Sequence, residues 1–181
     1  VSFLNTTKRI NYILPLNKGY KEIFKEYKRD RKYRINQANK NELVIKSCSF
    51  DELEIIAKEN YSFLKIADLE FKRLKLITDF IEKNDKGFLL GVYNLQGKLI
   101  GGAVFLKGVN RISYLFSVVN SEGKKLQAAS FLINEVITNY ANTSCTLDFE
   151  GSMILGIASF FKSFGAQREM YFLHQKLFSL F

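Results

Sequence analysis

From residue 88 to residue 119 the hydrophobic period of this chain turns from helical to extended, three times in succession. Residues 88–93, 98–106 and 111–119 are strand-length apolar runs, joined by Asn94-Leu-Gln-Gly97 and Lys107-Gly-Val-Asn110. Tight polar connections that contain glycine predict an antiparallel meander. Gly101-Gly102 inside the second run marks a bulge or a close backbone approach.

The segments around the meander read as helices and single strands. Residues 8–14 alternate and read as a strand ended by Pro15. Asn17 is placed to cap a long helix running to about residue 39, with Tyr20, Ile23, Phe24, Tyr27, Ile35 and Ala38 as its apolar stripe. Residues 43–48 form a short strand. Ser49-Phe-Asp-Glu52 is a capping box that starts a helix with Leu53, Ile56, Ala57 and Tyr61 on one face. Asp68 opens the next helix, with Leu74, Ile77 and Ile81 inward, and residues 84–87 close it. After the meander come a polar loop at 120–125, a helix over 126–140, a strand over 145–149, a helix from about 153 to 164 stopped by Gly165, and a strand over 169–174 that the tail to 181 extends. This order predicts an α+β fold with a mixed, mainly antiparallel sheet. The crossover through 126–140 makes the strands on either side of it parallel.

A chain of 181 residues with 47% apolar residues builds one full-sized core. One proline and no repeat argue against disorder and against a solenoid. No apolar stretch is long enough to span a membrane as a helix, and no signal peptide is present, so a cytoplasmic protein is expected. The first residue is Val1 rather than Met, so an N-terminal part can precede it. Cys48 and Cys145 sit in apolar, strand-like surroundings and read as reduced buried thiols. His174 is the single histidine and no Cys/His cluster has metal spacing, so neither a metal site nor a Ser-His-Asp triad is expected. The net charge of +9 is concentrated: residues 1–46 hold twelve Lys/Arg against four Asp/Glu. Lys18, Lys21, Lys25, Lys28, Arg29 and Lys32 fall mostly off the apolar stripe, as a solvated helix face or as a surface for phosphate-bearing partners.

The densest chemistry lies at residues 147–165. Asp148 and Glu150 flank Phe149 at the mouth of a strand, beside a helix start. Two apart in an extended segment, they face the same side. One of them is then a general base or an anchor for an amine. The other reading is structural: Asp148 or Ser152 caps the helix, and Glu150 is solvated or pairs with Arg168.

The element order, with Leu147-Asp-Phe-Glu-Gly-Ser, Gly156-Ile and Phe160-Phe-Lys-Ser-Phe-Gly165, resembles the GNAT acyltransferase superfamily and, within it, the bacterial-type FemAB-like branch. There an Asp-Phe-x-Gly strand end leads to a Gly-Ile and a Phe-Lys-x-x-Phe-Gly helix end. Residues 29–38 resemble the stretch that opens the second GNAT unit of these tandem proteins. The resemblance implies a GNAT fold over residues 17–181, behind residues 1–16 as the last strand of a preceding unit. It implies transfer of an acyl group to an amine acceptor, from acetyl-CoA or another acyl-CoA. In Fem-type enzymes it is instead from aminoacyl-tRNA to a nucleotide-linked cell-wall precursor.

The same resemblance assigns residues. Phe161-Lys162 aligns with the Phe-Lys pair of the Fem-type donor channel, where Lys holds a phosphate or the developing oxyanion. A core Phe beside an exposed Lys near a helix C-terminus gives the same pattern. Residues 120–128 stand where GNAT proteins wrap the CoA pyrophosphate. Gln127 replaces the first glycine of that cradle, which leaves Gly123, Lys124, Lys125, Gln127 and Ala128 as phosphate candidates. Tyr171 is a candidate acid or a sheet-face tyrosine; His174 reads as a surface or satisfied histidine. The contrasting reading is a non-catalytic GNAT-like module that binds RNA or an anionic surface through residues 18–34. A third has this unit as the structural partner of a catalytic one. The sequence leaves the oligomeric state open, a dimer included.

Overall fold

The computed structural model describes residues 3–60, 67–151 and 153–177. Tyr61, Ser152 and residues 178–181 lie outside the described residues. The meander forms as expected: β3 (Gly87–Tyr93), β4 (Leu99–Lys107) and β5 (Arg111–Val119) pair antiparallel in order. The short β2 (Val44–Ser47) adds to the outer side of β3. From β5 the chain crosses through α5 (Ser121–Lys125) and α6 (Ala128–Tyr140) and returns as β6 (Thr146–Asp148), parallel to β5. The strand β1 (Phe3–Pro15) then lies between β6 and β7 (Gln167–Leu177), antiparallel to both. The order across the seven-stranded sheet is β2-β3-β4-β5-β6-β1-β7, the mixed, mainly antiparallel α+β arrangement expected.

Helices cover both faces. On one, α3 (Phe50–Asn60) and α4 (Asp68–Lys83) pack with Leu89, Val104 and Val118. On the other, α1 (Tyr20–Glu26), α2 (Arg29–Lys40), α6 and α7 (Leu155–Lys162) pack with Tyr12, Leu14, Ile112 and Leu147. The capping box is real: the Ser49 N–H donates to Glu52 Oε2 at 2.8 Å, and the Glu52 N–H donates to Ser49 Oγ at 3.3 Å. The register shift in β4 falls beside Gly101, opposite Val92 and Tyr93. Gly102 is a close approach, since a Cβ there would lie 2.6 Å from the Leu90 carbonyl oxygen.

Four local expectations change. The long basic helix is two helices, because Tyr27 and Lys28 are extended. Tertiary contacts override the helical period there: the Lys28 N–H donates to the Ser163 carbonyl at 2.9 Å, and Tyr27 packs edge-on against Phe164. Gly19, not Asn17, occupies the N-cap of α1. Residues 121–125 are a helical turn rather than a loop, capped by the Asn120 side chain, which accepts from the Gly123 N–H. In α4 Ile81 is buried and Leu74 packs partly buried against the same core, joined by Phe71 and Thr78, while Ile77 turns toward solvent with Leu76 and Phe80. Of the two free cysteines Cys48 is buried and Cys145 half-buried, and burial pushes the Cys48 thiol up to about 12. No helix among the described residues is long and apolar enough to cross a membrane.

Candidate active site

The sheet separates the residues singled out in the sequence into two groups. Strand alternation puts Asp148 on the face opposite Leu147, Ile112 and Tyr12, which belong to the core beneath α6 and α7. On that opposite face Asp148 is one of four polar side chains drawn from four strands. Its Oδ1 accepts from Asn11 Nδ2 at 2.9 Å and from the Glu150 N–H at 2.8 Å, and its Oδ2 accepts from Arg111 Nη1 at 2.6 Å. Arg111 also donates from Nη1 and Nη2 to Glu169, at 3.1 and 3.0 Å, and Asn11 Nδ2 reaches Glu169 Oε2 at 3.2 Å. Asp148 and Asn11 are buried, whereas the Arg111 side chain is 44% exposed. The Arg111 hydrogen bond holds the Glu169 carboxyl below its ordinary value, and the two carboxylates raise the Arg111 guanidinium.

Glu150 does not share a side with Asp148 as an extended segment would require. β6 ends at Asp148, and Glu150 has φ +59°. The Asp148 side chain causes this turn by accepting the Glu150 N–H two residues on, an Asx-turn. Asp148 therefore caps a turn and not α7, whose N-cap is Ile154. Glu150 is exposed and, among the described residues, pairs with no cation, Arg168 included. Tyr171 is 45% exposed on β7, opposite Arg9, two residues beyond Glu169 on the quartet's face. His174 Nδ1 is 2.8 Å from Thr6 Oγ1 on the same edge of the sheet.

Phe161 and Lys162 belong to the other face. Phe161 is buried and stacks on Phe149 with ring centroids 4.6 Å apart. Lys162, in the last turn of α7, has its Nζ 5.5 Å from the centre of the Tyr12 ring. It lines an open pocket of about 360 Å³ with Lys28 and Arg168, whose apolar wall includes Ile10, Tyr12, Met153 and Leu155. Asp148 and Tyr171 thus stand on one face of the sheet, and Phe161 and Lys162 on the other.

The stretch expected to cradle phosphate is occupied internally. The Gly123 N–H is taken by Asn120, and a Cβ on Gly123 would lie 2.2 Å from the Ile100 carbonyl oxygen. That glycine is needed for packing α5 on β4. Lys124 and Lys125 are exposed in α5. Gln127, with φ +64°, is the N-cap of α6, and its Nε2 folds back to the Lys124 carbonyl at 3.1 Å. Ala128 is buried at the first position of α6.

Asn11, Arg111 and Glu169 escaped the sequence reading because three strands distant in sequence bring them together. Arg31 had a signal of its own. It fills the gap in the apolar stripe between Tyr27 and Ile35, four residues from each, and an arginine at a core position is one the fold must accommodate.

No protein-family model matches the chain, and no curated protein matches it. Solved structures do. FemX is 14% identical with a TM-score of 0.73, over 88% of this chain and 59% of that one. A conserved protein of unknown function from Bacteroides thetaiotaomicron is 12% identical with a TM-score of 0.65, over 93% and 61%. L-PGS from Bacillus licheniformis is 10% identical with a TM-score of 0.61, over 94% and 61%. The chain spans about three fifths of the length of these structures. At such identities the likeness is one of fold, shared with FemX and with L-PGS.

Proposed function

We propose that this chain carries the donor site of an N-acyltransferase, on the face of the sheet covered by α6 and α7. The observation that carries the reading is Lys162, set with Lys28 and Arg168 around an open, partly apolar pocket in a fold shared with FemX. In the reaction the acceptor amine attacks the acyl carbonyl and a C–N bond forms. The bond from the acyl carbon to the carrier's oxygen or sulfur breaks. The nitrogen's surplus proton leaves to water, and the carrier's leaving atom takes up a proton. The Lys162 ammonium stabilises the negative charge that builds on the carbonyl oxygen, or holds a phosphate of the carrier. Ile10, Met153 and Leu155 give the acyl end an apolar wall.

Three cations around one pocket fit a carrier that bears phosphate, acyl-CoA or aminoacyl-tRNA alike. The acceptor is an amine, with a nucleotide-linked cell-wall precursor as one candidate. Glu150, exposed at the turn between β6 and α7, is the carboxylate an incoming amine can reach. Asp148, already accepting three hydrogen bonds, serves as a positioning residue that shapes this turn. Tyr171 lies across the sheet and takes no part.

The test is transfer from acetyl-CoA, and separately from aminoacyl-tRNA, to a panel of primary amines. Lys162→Met is expected to lower kcat/KM by about 100-fold with the fold intact by circular dichroism. Absence of transfer from either donor overturns the reading. Unchanged activity in Lys162→Met removes its central residue. A salt-sensitive RNA affinity without transfer, lost in Lys25→Glu and Lys32→Glu, would establish the binding-module alternative in its place.

A further inference from the structure

We propose that the outer face of α4 is a docking surface for a second copy of this chain, which pairs with it antiparallel about a two-fold axis. The inference goes beyond the functional reading above and does not rest on it, since α4 and the Lys162 pocket lie on opposite faces of the sheet. α4 turns Phe71, Thr78 and Ile81 to the core. At about 100° per residue, Leu69, Leu76, Ile77 and Phe80 gather on the other side of the helix. They are 55%, 70%, 40% and 58% exposed. The stripe runs three turns, about 16 Å, along the helix. A contiguous apolar surface of this kind, rimmed by charges, marks an interaction site, whereas apolar residues scattered singly do not. Arg73 falls within the stripe but is drawn aside to Glu70 at 2.7 Å.

The charges beside the stripe identify the occupant. α4 carries four acidic and four basic residues, so it has no net charge with which to attract anionic lipid headgroups. Asp68, Lys72, Asp79 and Lys83 follow one flank of the stripe, at spacings of four, seven and four. The series reads acid, base, acid, base, and in reverse it reads base, acid, base, acid. Two antiparallel copies that cross between residues 75 and 76 therefore set Asp68 against the partner's Lys83, and Lys72 against the partner's Asp79. The two-fold axis repeats both pairs, so every flanking contact joins opposite charges. In a parallel pair each of the four would meet its own kind, and the charge order thus fixes the direction as well. Within one copy these groups are weakly engaged. Asp68 lies 3.5 Å from Lys58 and Asp79 lies 3.9 Å from Lys75, while Lys72 and Lys83 pair with no carboxylate among the described residues. The same arrangement brings Leu69 beside the partner's Phe80 and leaves Leu76 and Ile77 near the axis. One helix face is small against the roughly 800 Å² that each partner buries in a standard interface, so the dimer is weak and reversible.

Sedimentation equilibrium of the intact chain over about 5–500 μM tests the proposal, and a monomer–dimer equilibrium with Kd of about 10–100 μM is expected. Leu76→Asp, at an exposed position, is expected to weaken it about tenfold or more while the circular dichroism stays that of the parent. Lys72→Asp and Asp79→Lys each set like charges against one another twice, and each alone is expected to sediment as a monomer. An equimolar mixture of the two restores opposite charges at both contacts, so dimers are expected to reappear as mixed pairs. Recovery in the mixture separates a lost contact from a lost fold. Leu155→Asp on α7, an exposed residue on the other face of the sheet, is the control and is expected to dimerise as the parent does. A monomer at every concentration overturns the proposal. So does a dimer lost in Leu155→Asp but kept in Leu76→Asp, or a mixture of the charge variants that stays monomeric. Binding of a monomer to vesicles of phosphatidylcholine and phosphatidylglycerol, abolished by Leu76→Asp and without dimerisation in solution, would make the stripe a membrane contact and overturn it equally.

Discussion

Arg111 is the residue on which four strands depend. It holds two carboxylates from β6 and β7, and Asn11 of β1 bridges the same pair. Arg111→Met leaves Asp148 buried beside an apolar chain. The expected cost is about 2 kcal/mol in chemical denaturation, below that of a fully buried pair because the arginine is partly solvated. Glu169 gives the cluster a pH signature. Its carboxyl titrates lower in the fold than the ordinary 4.5, so the unfolded chain takes up a proton that the folded chain refuses. The stabilisation is therefore present at neutral pH and is lost as pH falls below that ordinary value and through the folded one. Melting curves from pH 7 down to pH 3 should show an acid-side loss that is shallower in Glu169→Gln; parallel curves would rule out this origin.

At the scale of elements, α5 is where local pattern and tertiary demand diverge most. Asn120-Ser-Glu-Gly-Lys-Lys125 reads as a loop, and a glycine beside two lysines reads as a phosphate cradle. In the fold the same residues are a capped turn pressed on β4. Gly123→Ala, a favourable change for an exposed helix, is here expected to destabilise by about 1–3 kcal/mol, because its methyl meets the Ile100 carbonyl. A rise in thermal midpoint would show that the glycine is there for another reason. Where a signal is local the sequence was informative. The Ser49 capping box, the turns of the meander and the Gly165 stop, at φ +81°, each depend on neighbours within a few residues. The break at Tyr27 and Lys28 could not be read, since its cause, Ser163 and Phe164, lies far along the chain. The site divides in the same way: Phe161 and Lys162 carry a motif, while Arg31 and Arg111 acquire their surroundings only in three dimensions.

For the whole molecule the decisive feature is β1 between β6 and β7. A strand ending at Pro15 reads equally well as an appendage, yet it supplies Tyr12 and Leu14 to the main core. Removing residues 1–15 would open two strand edges and a hole in that core. Such a chain is expected to be insoluble or molten by near-ultraviolet circular dichroism. A sharp, cooperative melt without β1 would show that residues 16 onward are self-sufficient.

The same arrangement bears on how the protein is made. Thr6 and His174 touch although 168 positions separate them. On a translating ribosome β1 emerges before both of its partners and waits until β6 and β7, more than 130 residues later, have been synthesised. β6 must wait as well for its place beside β1. Pairings this distant slow folding and prolong exposure of unsatisfied strand edges. The meander and its helices can settle while the chain is still growing, but the side of the sheet that bears the Arg111 quartet can close only once β7 has emerged. The growing chain should therefore have its greatest need of a chaperone between the emergence of β1 and that of β7.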